Sequence, residues 1–262
     1  MQLKTGEFEE FRSLVYQTSG INLGDGKECL VSSRIGKRMK ALGVDDFRTY
    51  LDCLQDGSNA DEMVHMLDAI STNVTSFFRE PEHFDFIREV VTEWTKHRQK
   101  RFRFWSAASS SGEEPYSLAM TLSECGLNSE TDTRILASAG EGVYAQSKLA
   151  SLPAGYAGKY FSPLRGAAPA ASAVKASLRD LIVFQRLNLA FPPFPMKGPL
   201  DLILVRNVMI YFDDSVRSKL LEDCYRLLKP GGYLLVGHAE SLTGLVKGFK
   251  CVRPSIYMKP AL

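Results

Sequence analysis

The 262-residue chain is 45% hydrophobic, enough to bury a substantial core, so intrinsic disorder is not expected. A formal net charge of +2 does not mark a nucleic-acid-binding chain, although a local basic face can hide in a balanced total. Cys29, Cys53, Cys125, Cys224 and Cys251 form no CxxC pair and the histidines do not cluster with them, so metal-ligand spacing is absent and free thiols are expected.

The N-terminal stretch "MQLKTGEFEEF" has no apolar signal-peptide core, and runs such as "DLILV" and "YLLVG" are far too short to span a bilayer. A cytoplasmic protein without a membrane-integral segment is expected. Through about residue 80 no strand pattern occurs, and apolar residues recur at helical spacing, as in Phe8, Phe11, Leu14, Val15 and in Met63, Met66, Leu67, Ile70. This predicts a helical domain over 1–80. Within it, residues 29–42 read as a helix with Leu30, Ile35, Met39 and Leu42 inward and Arg34, Lys37 and Arg38 projecting as a basic face, with Lys40 nearby.

From about residue 101 strands alternate with helices: "RFRFWSA", "TRILAS", "DLIVFQRLNL", "DLILVRNVMIYF" and "YLLVGHAE". That alternation predicts an α/β domain over 81–262 with a mostly parallel sheet. In "LLKPGGYLLVG", Pro230, Gly231 and Gly232 end a helix over 214–228 and turn the chain into a buried strand. The Gly-, Ala- and Pro-rich residues 156–176 predict a small inserted subdomain, extending to about 180, or a mobile loop.

In open parallel sheets, ligands bind beyond the carboxyl ends of the strands. "WSAASSSGEEPYSLAM" lies at such an end and places Glu113 and Glu114 at the start of a helix. Residues 106–114 fit neither GxxxxGK[ST] nor GxGxxG, so a triphosphate or dinucleotide is a poor candidate. Acids at a first helical turn are accounted for by the helix dipole alone. They also suit a ligand with cationic and hydroxyl groups and no phosphate, such as S-adenosylmethionine.

Together, "ISTNVTSFFREPEHF", "FWSAASSSGEEPYSLAM", "VFQRLNL", "GPLDLILVRNVMIYFD" and "LKPGGYLLVGHAESL" resemble the chemotaxis receptor (CheR-type) methyltransferase family. The N-terminal "LVSSRIGKRMKALGVDDFRTYL" is similar to that family's helical domain, so the likeness spans nearly the whole chain. It implies a Rossmann-like S-adenosylmethionine-dependent methyltransferase domain preceded by an all-helical receptor-recognition domain. The implied activity is methylation of glutamate side chains on the cytoplasmic helices of chemoreceptors, a protein-glutamate O-methyltransferase reaction without a metal, with S-adenosylhomocysteine as product. By motif position, the cofactor would be held by Asn73, Thr75, Arg79, Glu114, Asn188, Leu189, Arg206 and Asn207. Arg79 would also orient the acceptor carboxylate, and Tyr211 would sit beside the transferring methyl.

The basic face of Arg34, Lys37 and Arg38 would then meet an acidic receptor helix, and the 156–180 insertion overlaps a subdomain that grips a receptor C-terminal peptide in some relatives. A nucleic-acid partner is not expected, and a monomer is the expected state. One departure weighs against full activity: where relatives read "ATDIDTxVLxxAxxGVY", this chain reads "ILASAGEGVY", with Ala139 in the acidic position and only Glu141 nearby. Loss of one charged hydrogen bond costs roughly 1.5–3 kcal/mol, about tenfold to 150-fold in affinity. The alternative reading is a catalytically weakened relative that serves as a receptor- or partner-binding module.

Overall fold

A computed structural model describes residues 3–56, 60–71, 74–128, 131–138, 140, 142–166 and 169–261. The chain divides into two compact units, Met1–Asn73 with Tyr211–Val216, and Val74–Ile210 with Arg217–Leu262.

The first unit contains α1 (Thr5–Ser19), α2 (Glu28–Leu42), α3 (Phe47–Gln55) and α4 (Ala60–Ile70). Apolar residues one turn apart form its core: Phe8, Phe11 and Val15 on α1, Val31, Ile35 and Met39 on α2, Tyr50, Leu51 and Leu54 on α3, and Met66 and Ile70 on α4. Left-handed glycines, Gly20 and Gly43, stop α1 and α2, and Asp46 caps α3 by accepting from the Thr49 N–H at 2.8 Å. The predicted phase of α2 needs correction. Leu30 and Leu42 are exposed and Val31 is buried, because Val31, Ile35 and Met39 form a tighter stripe at four-residue spacing. Residues 211–216 join this unit through the Asn22 N–H to Tyr211 carbonyl bond (2.7 Å), the Ile21–Phe212 bridge and the Tyr16 hydroxyl on Asp213 (2.6 Å).

In chain order the second unit contains α5 (Pro81–Lys96), β1 (Arg101–Ser106), α6 (Glu113–Glu124), β2 (Asp132–Ala137), β3 (Val143–Ala145), α7 (Gln146–Leu149), α8 (Tyr156–Tyr160), β4 (Phe161–Pro163) and β5 (Ala171–Val174). It continues with α9 (Ala176–Arg179), β6 (Ile182–Phe184), β7 (Leu200–Val205), most of α10 (Asp214–Leu227), β8 (Leu228–Val236), β9 (Lys250–Arg253) and β10 (Ile256–Met258). The main sheet has the order β6-β2-β1-β7-β8-β10-β9. Its first five strands run parallel, and β10 and β9 add an antiparallel edge. The central strand β7 is buried along its whole length, as a strand covered on both faces must be. Phe102, Phe104, Ile135, Leu202, Leu204 and Leu235 unite the sheet's strands in one core with Leu118 and Leu122 of α6.

β1, β2 and β6 step outward in one direction and β7 and β8 in the other, so the strand order reverses between β1 and β7. The carboxyl ends of those two strands are therefore where a ligand crevice is expected. Between β2 and β6 the chain forms a second, antiparallel sheet, β3-β5-β4. The strand read over "DLIVFQRLNL" is shorter than its pattern, with only Ile182–Phe184 paired, and the β9–β10 hairpin had no sequence signal strong enough to be predicted.

Candidate functional site at the strand-order reversal

β1 ends at Ser106, and the chain passes through a small-residue loop into α6. Gly112 opens α6 with φ of 98°, and a Cβ there would lie 2.7 Å from the Tyr144 hydroxyl and 2.9 Å from the Gly140 Cα. Only glycine satisfies both the left-handed backbone and that close approach. The two acids that follow part company. Glu113 turns to Lys148 and to the Ser111 hydroxyl (2.6 Å), which makes it a fastening of the loop. Glu114 turns toward the sheet, where it accepts from the Ser106 hydroxyl at 2.7 Å and from Arg206 Nη1 at 3.0 Å.

Arg206 is the first residue beyond β7 and is 3% exposed. Its guanidinium also donates to Glu80 Oε2 (3.0 Å) and to the Arg79 carbonyl, and it lies 5.6 Å from the centre of the Phe84 ring. Asn207 follows with φ of 57°, a left-handed conformation that asparagine tolerates better than most residues. Phe78 and Glu80 have φ of 53° and 54°, and the Phe78 N–H donates to the Ser117 hydroxyl on α6 at 2.9 Å. Three left-handed non-glycine residues thus lie in the two segments that Arg206 ties together, a concentration of strain typical of functional sites.

Burial raises the Glu114 carboxyl above its ordinary range, against the opposing pull of Arg206 and Ser106. Burial also works against the Glu80 charge, but Arg206, the His238 N–H and Asn207 outweigh it and hold that carboxyl below its usual value. His83, buried beside them, is pushed down to about 4 by burial and by Arg206, so it is neutral at physiological pH. With both acids ionised, two carboxylates share one guanidinium. In that state the cluster has an excess negative charge, and it offers no glycine-rich phosphate cradle, which fits a cationic, phosphate-free ligand.

The predicted site residues are distributed as follows. Glu114, Arg206, Asn207 and the Arg79 main chain meet in this cluster. The Arg79 side chain is exposed and donates to the Val74 carbonyl at 3.0 Å. Thr75 is half-buried in the extended segment before it, and Asn73 lies outside the described residues. Asn188 and Leu189 lie in the loop that follows β6, the strand two places from β1 in the sheet. Asn188 Oδ1 accepts from the Ala190 N–H at 3.2 Å in a local turn, and Leu189 is buried. Tyr211 is half-buried and groups with the helical unit.

The basic face of α2 needs a correction. Arg38 forms a fork on buried Glu62 (Nε to Oε1 2.9 Å and to Oε2 3.0 Å), and Arg34 donates to the Ile70 carbonyl. Residues 34 and 38 are one turn apart on the side facing α4, so both arginines turn inward and fasten α2 to it. Lys37 and Lys40 are exposed, and with Cys29, Ser33 and Gly36 they line an open cleft of about 800 Å³.

Ala139 and Glu141 lie outside the described residues. The Ser109 N–H donates to Ser138 Oγ (3.0 Å) and the Ser138 N–H to Ser109 Oγ (2.9 Å), clasping the ends of β1 and β2. Sequence reasoning missed this clasp, together with Ser106, Glu80 and Glu240. The Glu240 carboxylate accepts main-chain N–H groups from Asn207 (2.9 Å), Met209 (2.8 Å) and Gly237 (2.6 Å). The only sequence signal for Glu80 and Glu240 was their place inside "FREPEHF" and "HAESL".

Residues 73–258 match the family model described as CheR methyltransferase, SAM binding domain, and residues 6–71 match the CheR methyltransferase all-alpha domain. The chemotaxis protein methyltransferase of Salmonella typhimurium is 37% identical over 98% of this chain and 91% of its own length. Its counterparts from Escherichia coli and Borreliella burgdorferi are each 34% identical, over 98% and 97% of this chain and 92% and 94% of their own lengths. Among the described residues no helix is long and apolar enough to cross a membrane. A helical unit, and a sheet whose strand-order reversal carries buried acids without a phosphate-loop motif, agree with those matches: the chain belongs to the CheR methyltransferase family, with the family's all-alpha and S-adenosylmethionine-binding domains both present.

Proposed function

We propose that this protein methylates glutamate side chains on the cytoplasmic helices of chemoreceptors, using S-adenosylmethionine and yielding methyl esters and S-adenosylhomocysteine. The observation that carries this reading is the Glu114–Arg206–Glu80 cluster, whose excess negative charge suits a cationic cofactor. The bound cofactor supplies an electrophilic methyl group on a good leaving group. An acceptor carboxylate is already ionised at neutral pH, so the protein's task is alignment, worth up to about 7–11 kcal/mol in the best intramolecular systems. Glu114, Arg206 and Asn207 would hold the cofactor's polar end, and Asn188 and Leu189 its far end. Arg79, whose guanidinium is exposed, would orient the acceptor carboxylate, and Tyr211 would border the methyl group.

Lys37 and Lys40 beside the α2 cleft would attract an acidic receptor helix, with Arg34 and Arg38 supporting that face from behind. The β3-β5-β4 sheet offers strand edges for a receptor C-terminal peptide. The protein would work as a cytoplasmic monomer without a metal.

The Ser109–Ser138 clasp favours a second reading, a relative with weakened catalysis. Two neutral hydroxyls tie the ends of β1 and β2 together, next to the position where an acid would hold the ribose. Calorimetric titration with S-adenosylmethionine and S-adenosylhomocysteine separates the readings. Binding that Glu114→Ala weakens at least tenfold, followed by base-labile methyl transfer to receptor glutamates, supports the enzyme. Folded protein that binds neither compound supports the partner-binding relative.

A further inference from the structure

The turn that carries Arg206 and Asn207 is held by two carboxylates from distant parts of the chain. Glu240 is 8% exposed and gathers main-chain donors from two loops: Asn207 and Met209 beyond β7, and Gly237 beyond β8. A Cβ on Gly237 would lie 2.5 Å from Asn207 Nδ2, 2.8 Å from Glu240 Oε2 and 3.0 Å from the Asn207 main-chain nitrogen. The bare glycine is what lets the acid and the amide come together.

Glu80 supplies the other half. Its Oε1 accepts from Asn207 Nδ2 (3.4 Å) and the His238 N–H (3.3 Å), while Oε2 accepts from Arg206. Because the NH₂ end of the Asn207 amide is directed at Glu80, the opposite end, Oδ1, remains as an acceptor for a ligand's ammonium or hydroxyl group.

Glu80, His83 and His238 also bring three ligand atoms within 4.8 Å of one another, which raises the question of a cation site. His83 Nε2 lies 2.8 Å from Ser255 Oγ, whose own proton goes to the Pro254 carbonyl, so Nδ1 keeps its lone pair, 3.4 Å from Glu80 Oε2. That same carboxylate oxygen already holds the Arg206 guanidinium, which would repel a buried cation. Glu80 is therefore assigned to Arg206 and not to a cation.

We infer that Glu240 and Glu80 are positioning residues that fix the left-handed turn at Asn207 and present its Oδ1 to the cofactor. The inference rests on the reading that Arg206 and Asn207 belong to the cofactor site. Glu240→Gln retains shape but sets an NH₂ group against main-chain donors, and Gly237→Ala keeps both acids but drives a methyl group against the Asn207 amide and Glu240 Oε2.

The test is calorimetry with S-adenosylhomocysteine on the full chain for Asn207→Ala, Glu240→Gln, Gly237→Ala and the two doubles with Asn207→Ala, with circular dichroism as a check of folding. The expected result is a loss of at least tenfold for each single, with neither double weaker than Asn207→Ala alone, because both substitutions act through that side chain. Additive losses would mean a general structural role and would overturn the inference, as would unchanged affinity in both Glu240→Gln and Gly237→Ala. If Glu240→Gln does not fold, Gly237→Ala decides by the same criteria. If Asn207→Ala leaves affinity unchanged, the cofactor-site reading itself fails and the inference falls with it.

Discussion

Glu114 and His83 respond to acid in opposite ways, and this separates binding from stability. The Glu114 carboxyl is raised by burial, with Glu80 adding to the shift and Arg206 and Ser106 opposing it. Its ionised form costs stability above its folded pKa, and protonation relieves that cost. A cationic ligand needs the ionised form. S-adenosylhomocysteine affinity, carried by the ligand's ammonium group, is therefore expected to fall on acidification at a pH above the ordinary carboxylate range. Glu114→Gln should bind weakly with a flat profile, measured by calorimetry in folded protein. His83 runs the other way. Its folded pKa of about 4 against 6.5 for the free side chain means that its contribution is complete above 6.5 and is lost as pH falls toward 4. At pH 5 the loss is about 2 kcal/mol, so urea unfolding at pH 7.5 and pH 5 should show a difference that His83→Gln reduces by that amount.

At the scale of elements, α2 shows what local pattern can and cannot specify. Apolar residues at 30, 31, 35, 39 and 42 all suit a helix, so its existence was legible, but two neighbouring phases compete. The deciding partner is Glu62, on another helix. It is 2% exposed, bound by Arg38 and by the Tyr50 hydroxyl at 2.6 Å, and held below its ordinary pKa chiefly by Arg38. Arg38 is thus a structural residue, and Lys37 is the better test of an acidic partner. Arg38→Met should destabilise the helical unit by about 3 kcal/mol, because it leaves a buried carboxylate without its cation. Lys37→Glu should leave the urea midpoint unchanged and lower methyl transfer to an acidic receptor helix, with a loss that shrinks as salt rises. The parallel strands were legible for a complementary reason: "DLILV" and "YLLVG" are continuous apolar runs, and β7 and most of β8 are buried. The Glu240 clasp was not legible, since its partners are main-chain N–H groups that leave no mark on the sequence of their own strand.

For the molecule as a whole, the informative feature is that the helical unit is discontinuous in sequence. The motif "RNVMIYFDD" reads as a strand end, and Arg206 and Asn207 do follow β7 in the sheet unit. Five residues after Arg206 the chain has passed into the other unit, where Tyr211 accepts from Asn22, Phe212 pairs with Ile21 and Asp213 takes the Tyr16 hydroxyl. Two of these links use main-chain atoms, so nothing in the sequence beyond a buried phenylalanine announced them. Phe212 is 7% exposed, and its truncation removes a large buried apolar side chain. Phe212→Ala should therefore cost about 3 kcal/mol, with the loss borne by the helical unit. Amide hydrogen exchange provides the test, because local opening reports on each unit separately. Protection in α1 and α2 should fall, while that of β1 and β7 stays at the wild-type level. The opposite distribution would assign residues 211–216 energetically to the sheet unit and place Tyr211 with the residues that follow β7.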